Sequence, residues 1–178
     1  MKMDKTTLFL IDDKKGFTPT FSHLVSMMNY TRDTTLRAVQ GLTIEELDFL
    51  VHPKANSIGM LLAHFAAVEK YYQIHTFENR EMNEDEEIEI LAGLELGEKG
   101  QQLFRGQPLE YYLKELEDVR RYTFEKFQAL SDEWLFEQSD FWNHQKANNY
   151  FKWFHVFEDE LSHRGQIRMI KKLQPIMK

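Results

Sequence analysis

The chain has 178 residues and a formal net charge of −7, from 22 Lys+Arg against 29 Asp+Glu. An acidic surface without a Lys/Arg stripe repels phosphates, so a nucleic-acid ligand is not expected. There is no cysteine, which excludes disulfides, a thiol nucleophile and Cys-ligated zinc or iron–sulfur centres and fits a reducing cytoplasm, and no apolar run approaches the roughly 18 residues of a membrane span.

The length fits one domain, 1–178, able to bury its own core. Residues 1–18 read as an N-terminal extension. Its "LFLI" is too short and too acid-flanked for a secretory signal. "TLFLI" is the one β-like run in the chain. From about Phe21 to Gln40, Phe21, Leu24, Val25, Met28, Thr31, Thr35 and Val39 recur at three- and four-residue steps, which predicts a first long helix. Pro19 precedes it and Gly41 follows, both boundary signals. Thr43 and Glu46 form a capping box for a short helix that His52-Pro53 breaks.

A second long helix is expected from about Ser57 to Phe77, with Ile58, Leu61, Leu62, Phe65, Val68 and Tyr72 on its inner stripe. The stretch 81–106, rich in Glu and Gly, reads as a long surface connection holding one short amphipathic helix. A third long helix runs from about Pro108 to Leu130, with Tyr112, Leu116, Val119, Arg120, Thr123 and Phe127 along its stripe. "SDEWLFEQSDFWNHQKANN" is an aromatic connection with a turn or two of helix. The fourth long helix spans about Asn149 to Lys172. The pattern is that of an all-α four-helix bundle with a long crossover between helices two and three.

The fourth helix carries the chemistry. In "FHVFEDELSHRGQI", His155, Asp159 and His163 follow at four-residue intervals. Side chains four apart share a helical face, about 6 Å apart along the axis, so Asp159 and His163 can chelate one ion. His155 and His163 stand about 12 Å apart along the axis and cannot share it. A third ligand must come from another helix, and His64, in "SIGMLLAHFAAVEKYY", is the candidate. Facing helices of bundles build metal sites in this way. Plainer readings stand beside this one. His64 alone is more often a satisfied core histidine than a ligand, and Asp159–His163 alone more often an exposed helix pair. The coincidence of the two on internal helices leaves both readings open. Glu158 and Glu160 flank the pair, and a solvated face is the ordinary reading for Glu160. His155 reads as a donor to Asp159 or as simply buried, and Arg164 and Gln166 as ligand-orienting or surface residues. Among the tryptophans, Trp134, Trp142 and Trp153 read as core or dimer-face residues. Fourteen Phe are more than a small bundle comfortably buries, which leads us to expect a homodimer.

"NSIGMLLAHFAAVEKYY", followed about ninety residues later by "HVFEDELSHRGQI", resembles the DinB/YfiT-like superfamily over nearly the whole chain. The resemblance implies a four-helix bundle with a divalent metal ion held by three side chains. The ligand positions fall on His64, Asp159 and His163. Many members carry His where this chain has Asp159. A carboxylate there widens the plausible ions beyond zinc to nickel, manganese or iron. Some members are thiol S-transferases or thiol-dependent isomerases using bacillithiol or mycothiol; others are classed as metal-dependent hydrolases. The resemblance therefore implies a metal-dependent S-transferase acting on a small molecule with a low-molecular-weight thiol. The alternatives are a metal-dependent hydrolase or a non-catalytic metal-binding stress protein.

Overall fold

The computed structural model describes residues 5–175. In chain order its helices and strands are α1 (Pro19–Val39), α2 (Ile44–Asp48), α3 (Ile58–Phe77), α4 (Glu84–Glu95), α5 (Gly97–Leu103), α6 (Leu109–Phe127), α7 (Asp132–Leu135), β1 (Gln138–Asp140), β2 (Lys146–Asn148) and α8 (Asn149–Leu173). The fold is an all-α bundle whose long members are α1, α3, α6 and α8. Each apolar stripe read from the sequence turns inward: Phe21, Leu24, Val25 and Met28 of α1, Leu61, Leu62 and Phe65 of α3, and Tyr112, Leu116 and Phe127 of α6 are buried.

Contacts between helices set their directions. Tyr72 meets His155 and Thr76 meets Trp153, while His64 meets His163, so α3 and α8 are antiparallel neighbours. Glu69 meets Arg120 and Phe77 meets Phe127, so α3 and α6 run parallel. Two parallel helices of about 20 residues require the chain to travel back about 30 Å between them. That return is the crossover, residues 78–108.

The crossover is more structured than a surface connection. It contains two helices, α4 and α5, and α4 packs on α3 through buried Ile90, Ala92 and Gly93. Asn83 and Glu86 cap α4 reciprocally, and Arg80 holds Glu86 through both terminal guanidinium nitrogens, Nη1 and Nη2, at 2.6 Å. The strand signals also fall elsewhere than expected. Lys5–Thr7, at the start of the "TLFLI" region, form a short 3-10 turn. The described strands are β1 and β2, an antiparallel pair in register Ser139↔Ala147, inside the aromatic connection. Pairing with a second strand, not local composition, makes residues 138–140 and 146–148 extended.

Glu160 departs most from expectation. It is 1 % exposed and sits in the bundle core. Arg32 from α1, Glu69 from α3, Arg120 from α6 and Glu160 from α8 meet there, one charge from each long helix. Arg32 Nε donates to Glu160 at 3.0 Å, and Arg120 Nε donates to Glu69 at 2.8 Å. Thr123 Oγ1 donates to the same Glu69 oxygen at 2.7 Å. Arg32 Nη1 donates to the Leu116 carbonyl at 2.8 Å, and Arg120 Nη1 to that of Met28 at 3.2 Å. Two positive and two negative charges cancel, which is the condition for burying any of them. The acid looked solvated because its partners lie far away in sequence.

Candidate metal centre

Ser57 caps the N-terminus of α3 by accepting from Met60 N at 3.2 Å, and Asn148 caps α8 by accepting from Phe151 N at 2.8 Å. These caps fix where each helix starts, and so which face each later residue presents. His64 enters the second turn of α3 and is 8 % exposed. Asp159 and His163 lie mid-way along α8, with side chains 17 % and 20 % exposed.

The three residues come together. His64 Nε2 lies 3.2 Å from Asp159 Oδ2, and His163 Nε2 lies 3.4 Å from Asp159 Oδ1. The two imidazole rings stand nearly perpendicular, centroids 4.9 Å apart. One ligand atom from each residue lies within 4.8 Å of the others, and among the described residues this is the only group of three or more such side chains able to hold a metal ion. Donors around one ion, at bonds of about 2.1 Å, sit about 3–4 Å apart, within side-chain rotation of the separations here.

Hydrogen bonding sharpens the chemistry. His64 Nδ1 lies 2.8 Å from the carbonyl oxygen of Gly93 in α4. A carbonyl only accepts, so Nδ1 carries a proton, and whenever the ring is neutral Nε2 is the bare nitrogen. That nitrogen faces Asp159 Oδ2, a buried oxygen with no hydrogen-bond partner. Nε2 and this carboxylate oxygen, 3.2 Å apart, need either a proton on the imidazole or a cation between them, which is the arrangement of a cation site. His163 Nδ1 is likewise buried without a partner. The donor set of two imidazoles and a carboxylate suits a divalent ion.

Charge follows the same geometry. Burial by itself would raise the Asp159 carboxyl; His163 and His64 beside it reverse this and hold it well below the usual carboxylate range. The hydrogen bond to Asp159 raises the His163 imidazole above its ordinary value, against the opposing effect of burial, with Gln166 adding to the rise.

The other candidate residues settle around this centre. His155 is one helical turn from Asp159; its Nδ1 is 3.3 Å from the Tyr72 hydroxyl, and Trp142 lies edge-on against it, ring centroids 5.0 Å apart. Trp153 is fully buried, Trp134 stacks on Phe77, and Trp142 is exposed. Arg164 donates to Thr34 and so ties α8 to α1. Sequence reasoning missed Gly93 altogether. The one signal for it was a glycine inside a helical pattern, a local cost that calls for a packing reason.

A family model described as Mycothiol-S-transferase matches residues 23–174, which takes in α3, α6 and α8, all but the first turn of α1, and the three converging residues. No match to the chain is found among curated proteins. The family match agrees with the DinB/YfiT-like resemblance of the paired motifs. The chain belongs to the mycothiol-S-transferase family.

Proposed function

We propose that this protein is a divalent-metal-dependent S-transferase that joins a low-molecular-weight thiol of the mycothiol type to a small electrophile. The observation that carries the reading is the convergence of His64, Asp159 and His163 inside a chain of this family. His64 Nε2, the Asp159 carboxylate and His163 would hold the ion. A bound divalent ion would supply Lewis acidity, lowering the pKa of a thiol so that the thiolate is the form presented at neutral pH. The chain's own residues do the rest. The Gly93 carbonyl keeps the His64 proton on Nδ1 and Nε2 free. Asp159 contributes a negative charge, which moderates the centre compared with three histidines. Phe65, whose ring lies 6.3 Å from that of His163, walls one side against water.

The zero-cysteine composition supports the same reading, because no protein thiol competes for the ion. It also fits a reducing cytoplasm, which we propose as the location. We further place the protein in a homodimer. Support comes from a continuous aromatic ridge, Trp142–Phe141–Phe151–Phe154, in which each ring touches the next. Trp142, Phe151 and Phe154 are 58 %, 46 % and 43 % exposed. Sedimentation showing only monomer at micromolar concentration would count against the dimer.

The test of function uses purified protein with its metal retained. Elemental analysis should find one divalent ion per chain. Incubation with mycothiol and monobromobimane should form the thioether faster than buffer alone, and His163→Ala should remove the difference. Stoichiometric metal without thiol conjugation would overturn the transferase reading and leave a metal-binding protein. A wild type without metal, or His163→Ala binding as wild type does, would overturn the site.

A further inference from the structure

The contact between α4 and α3 is unusually close at one point. A Cβ built on Gly93 would lie 2.6 Å from Ala67 Cβ and 3.4 Å from the Ala63 carbonyl oxygen. The first separation is far inside van der Waals contact, and neither methyl group can rotate away. Any other residue at 93 must therefore push α4 off α3 or displace it sideways. Ala63 and Ala67 bracket His64 on α3, at positions −1 and +3. The point of closest approach is thus the point at which α4 reaches His64.

The Gly93 carbonyl makes the 2.8 Å contact to His64 Nδ1. Gly93 stands in the last turn of α4, where a helix leaves carbonyls without an intrahelical donor. The partial negative charge of a helix C-terminus is also directed there, toward a ring that must donate. A carbonyl in this position fixes both the orientation of the ring and its tautomer, and makes the opposite nitrogen more basic.

We infer that Gly93 is a positioning residue of the candidate metal centre: the absence of a side chain lets α4 approach α3 closely enough for the Gly93 carbonyl to lock His64 with Nδ1 protonated and Nε2 free. The inference deepens the metal reading of the site and rests on it for the affinity measurement, but not for the tautomer measurement. It also explains why the crossover is packed rather than loose. The C-terminal turn of α4 is part of the site.

The test has two arms. The first is the nitrogen-15 NMR tautomer of His64 in the metal-free wild type at neutral to mildly alkaline pH. The Nδ1–H form is expected, and an Nε2–H form would overturn the inference. The second arm compares wild type, Gly93→Ala and Gly93→Ala/Ala67→Gly by zinc competition against a chromogenic chelator, with helix content checked by circular dichroism. Loss of an outer partner of a ligating histidine weakens metal binding by about 10–100-fold, and Gly93→Ala should do so. Removing the Ala67 methyl reopens the space, so the double variant should recover most of the affinity and the Nδ1–H tautomer. Folded Gly93→Ala binding zinc as tightly as wild type overturns the inference. So does a double variant that melts like wild type yet stays weak. Should Gly93→Ala fail to fold, the wild-type tautomer decides alone. A wild type that binds no zinc sinks the metal reading, and the tautomer still decides the Gly93 contact.

Discussion

Asp159 and Glu160 are neighbours on α8, and each opens onto a different buried polar cluster. Glu160 faces the quartet with Arg32, Glu69 and Arg120; its carboxylate receives Arg32 at 3.0 and 3.1 Å. Asp159 faces His64 and His163, and leaves Oδ2 without a donor. Both acids have lowered pKa values. For Glu160, burial opposes ionisation and the charges of Arg32 and Arg120 overcome it. For Asp159, burial opposes ionisation and two imidazoles overcome it. The difference lies in what supplies the positive charge. Arginine keeps its proton at any physiological pH, so the quartet is permanently neutralised. Histidine gives up its proton near neutrality and then becomes an acceptor itself. The quartet balances its charges as protein, with only Arg120 Nη2 left at ion-pair distance, 3.6 Å, from Glu160. The triad is complete only with a proton or a cation, which is why one cluster reads as scaffold and the other as a site.

The largest effect should come from breaking the quartet. Arg32→Ala leaves Glu160 buried without its main partner, and truncating one member of a buried pair costs about 3–5 kcal/mol. Urea denaturation of the metal-free protein measures it. A loss as small as that of an exposed ion pair, under about 1 kcal/mol, would show that water reaches Glu160 and that the contrast between the clusters is wrong.

The next effect distinguishes the triad by ligand rather than by fold. A ligand that binds only the folded state stabilises it by about 2.7 kcal/mol at a hundred times its Kd. Zinc should therefore raise the melting temperature of wild type and leave that of His163→Ala unmoved, while the two metal-free proteins melt close together at a pH above the raised His163 value. Asp159→Asn should weaken binding, because a neutral amide oxygen is a poorer ligand. Asp159→His should retain an ion and alter which one is preferred. A zinc-dependent melting shift in Arg32→Ala, with none in His163→Ala, would be the cleanest separation of the two clusters.

A smaller effect follows from pH. The His163 pKa is raised above 6.5, so its contribution to metal-free stability is full below that value and fades as pH rises through the folded value. The Asp159 pKa is lowered below 3.8, so its contribution is present above that value and is lost as pH falls further. The metal-free pair therefore stabilises most between those limits, and Asp159→Asn should remove that maximum. Metal needs the unprotonated imidazole, so zinc affinity should fall as pH drops through the raised His163 value. Stability and zinc binding measured across pH 4 to 8 check the sign: opposite trends support the triad, parallel trends contradict it. The quartet should show no such trend between pH 5 and 8, because its arginines keep their protons and the lowered Glu160 contribution is lost only as pH falls below 4.5.

The smallest expected effect is that of His155→Ala. His155 pairs with Tyr72 a full turn from Asp159, so zinc affinity should stay at the wild-type value in the same chelator competition. A weakened site would mean that His155 supports Asp159 after all.

The sequence by itself determined what depends on near neighbours. Helical periodicity located α1, α3, α6 and α8 to within a few residues, because burial of one face imposes a 3.6-residue repeat. The capping box at Thr43–Glu46 was readable for the same reason: both halves lie within one turn. The four-residue interval placed Asp159 and His163 together, since a helix converts that spacing into contact. Tertiary structure decided everything that depends on the rotation of one helix against another. Glu160 follows Asp159 by a single residue, about 100° around the helix, and only the packed bundle shows that this turn carries it from His64 to Arg32. The quartet joins residues 37, 51 and 128 positions apart, separations that leave no local pattern. The hairpin at 138–148 exists because two short segments pair, not because either favours a strand. Gly93 is the clearest case. A glycine in a helix is ordinarily a local weakness, and only the 2.6 Å approach to Ala67 and the carbonyl facing His64 give it a physical reason.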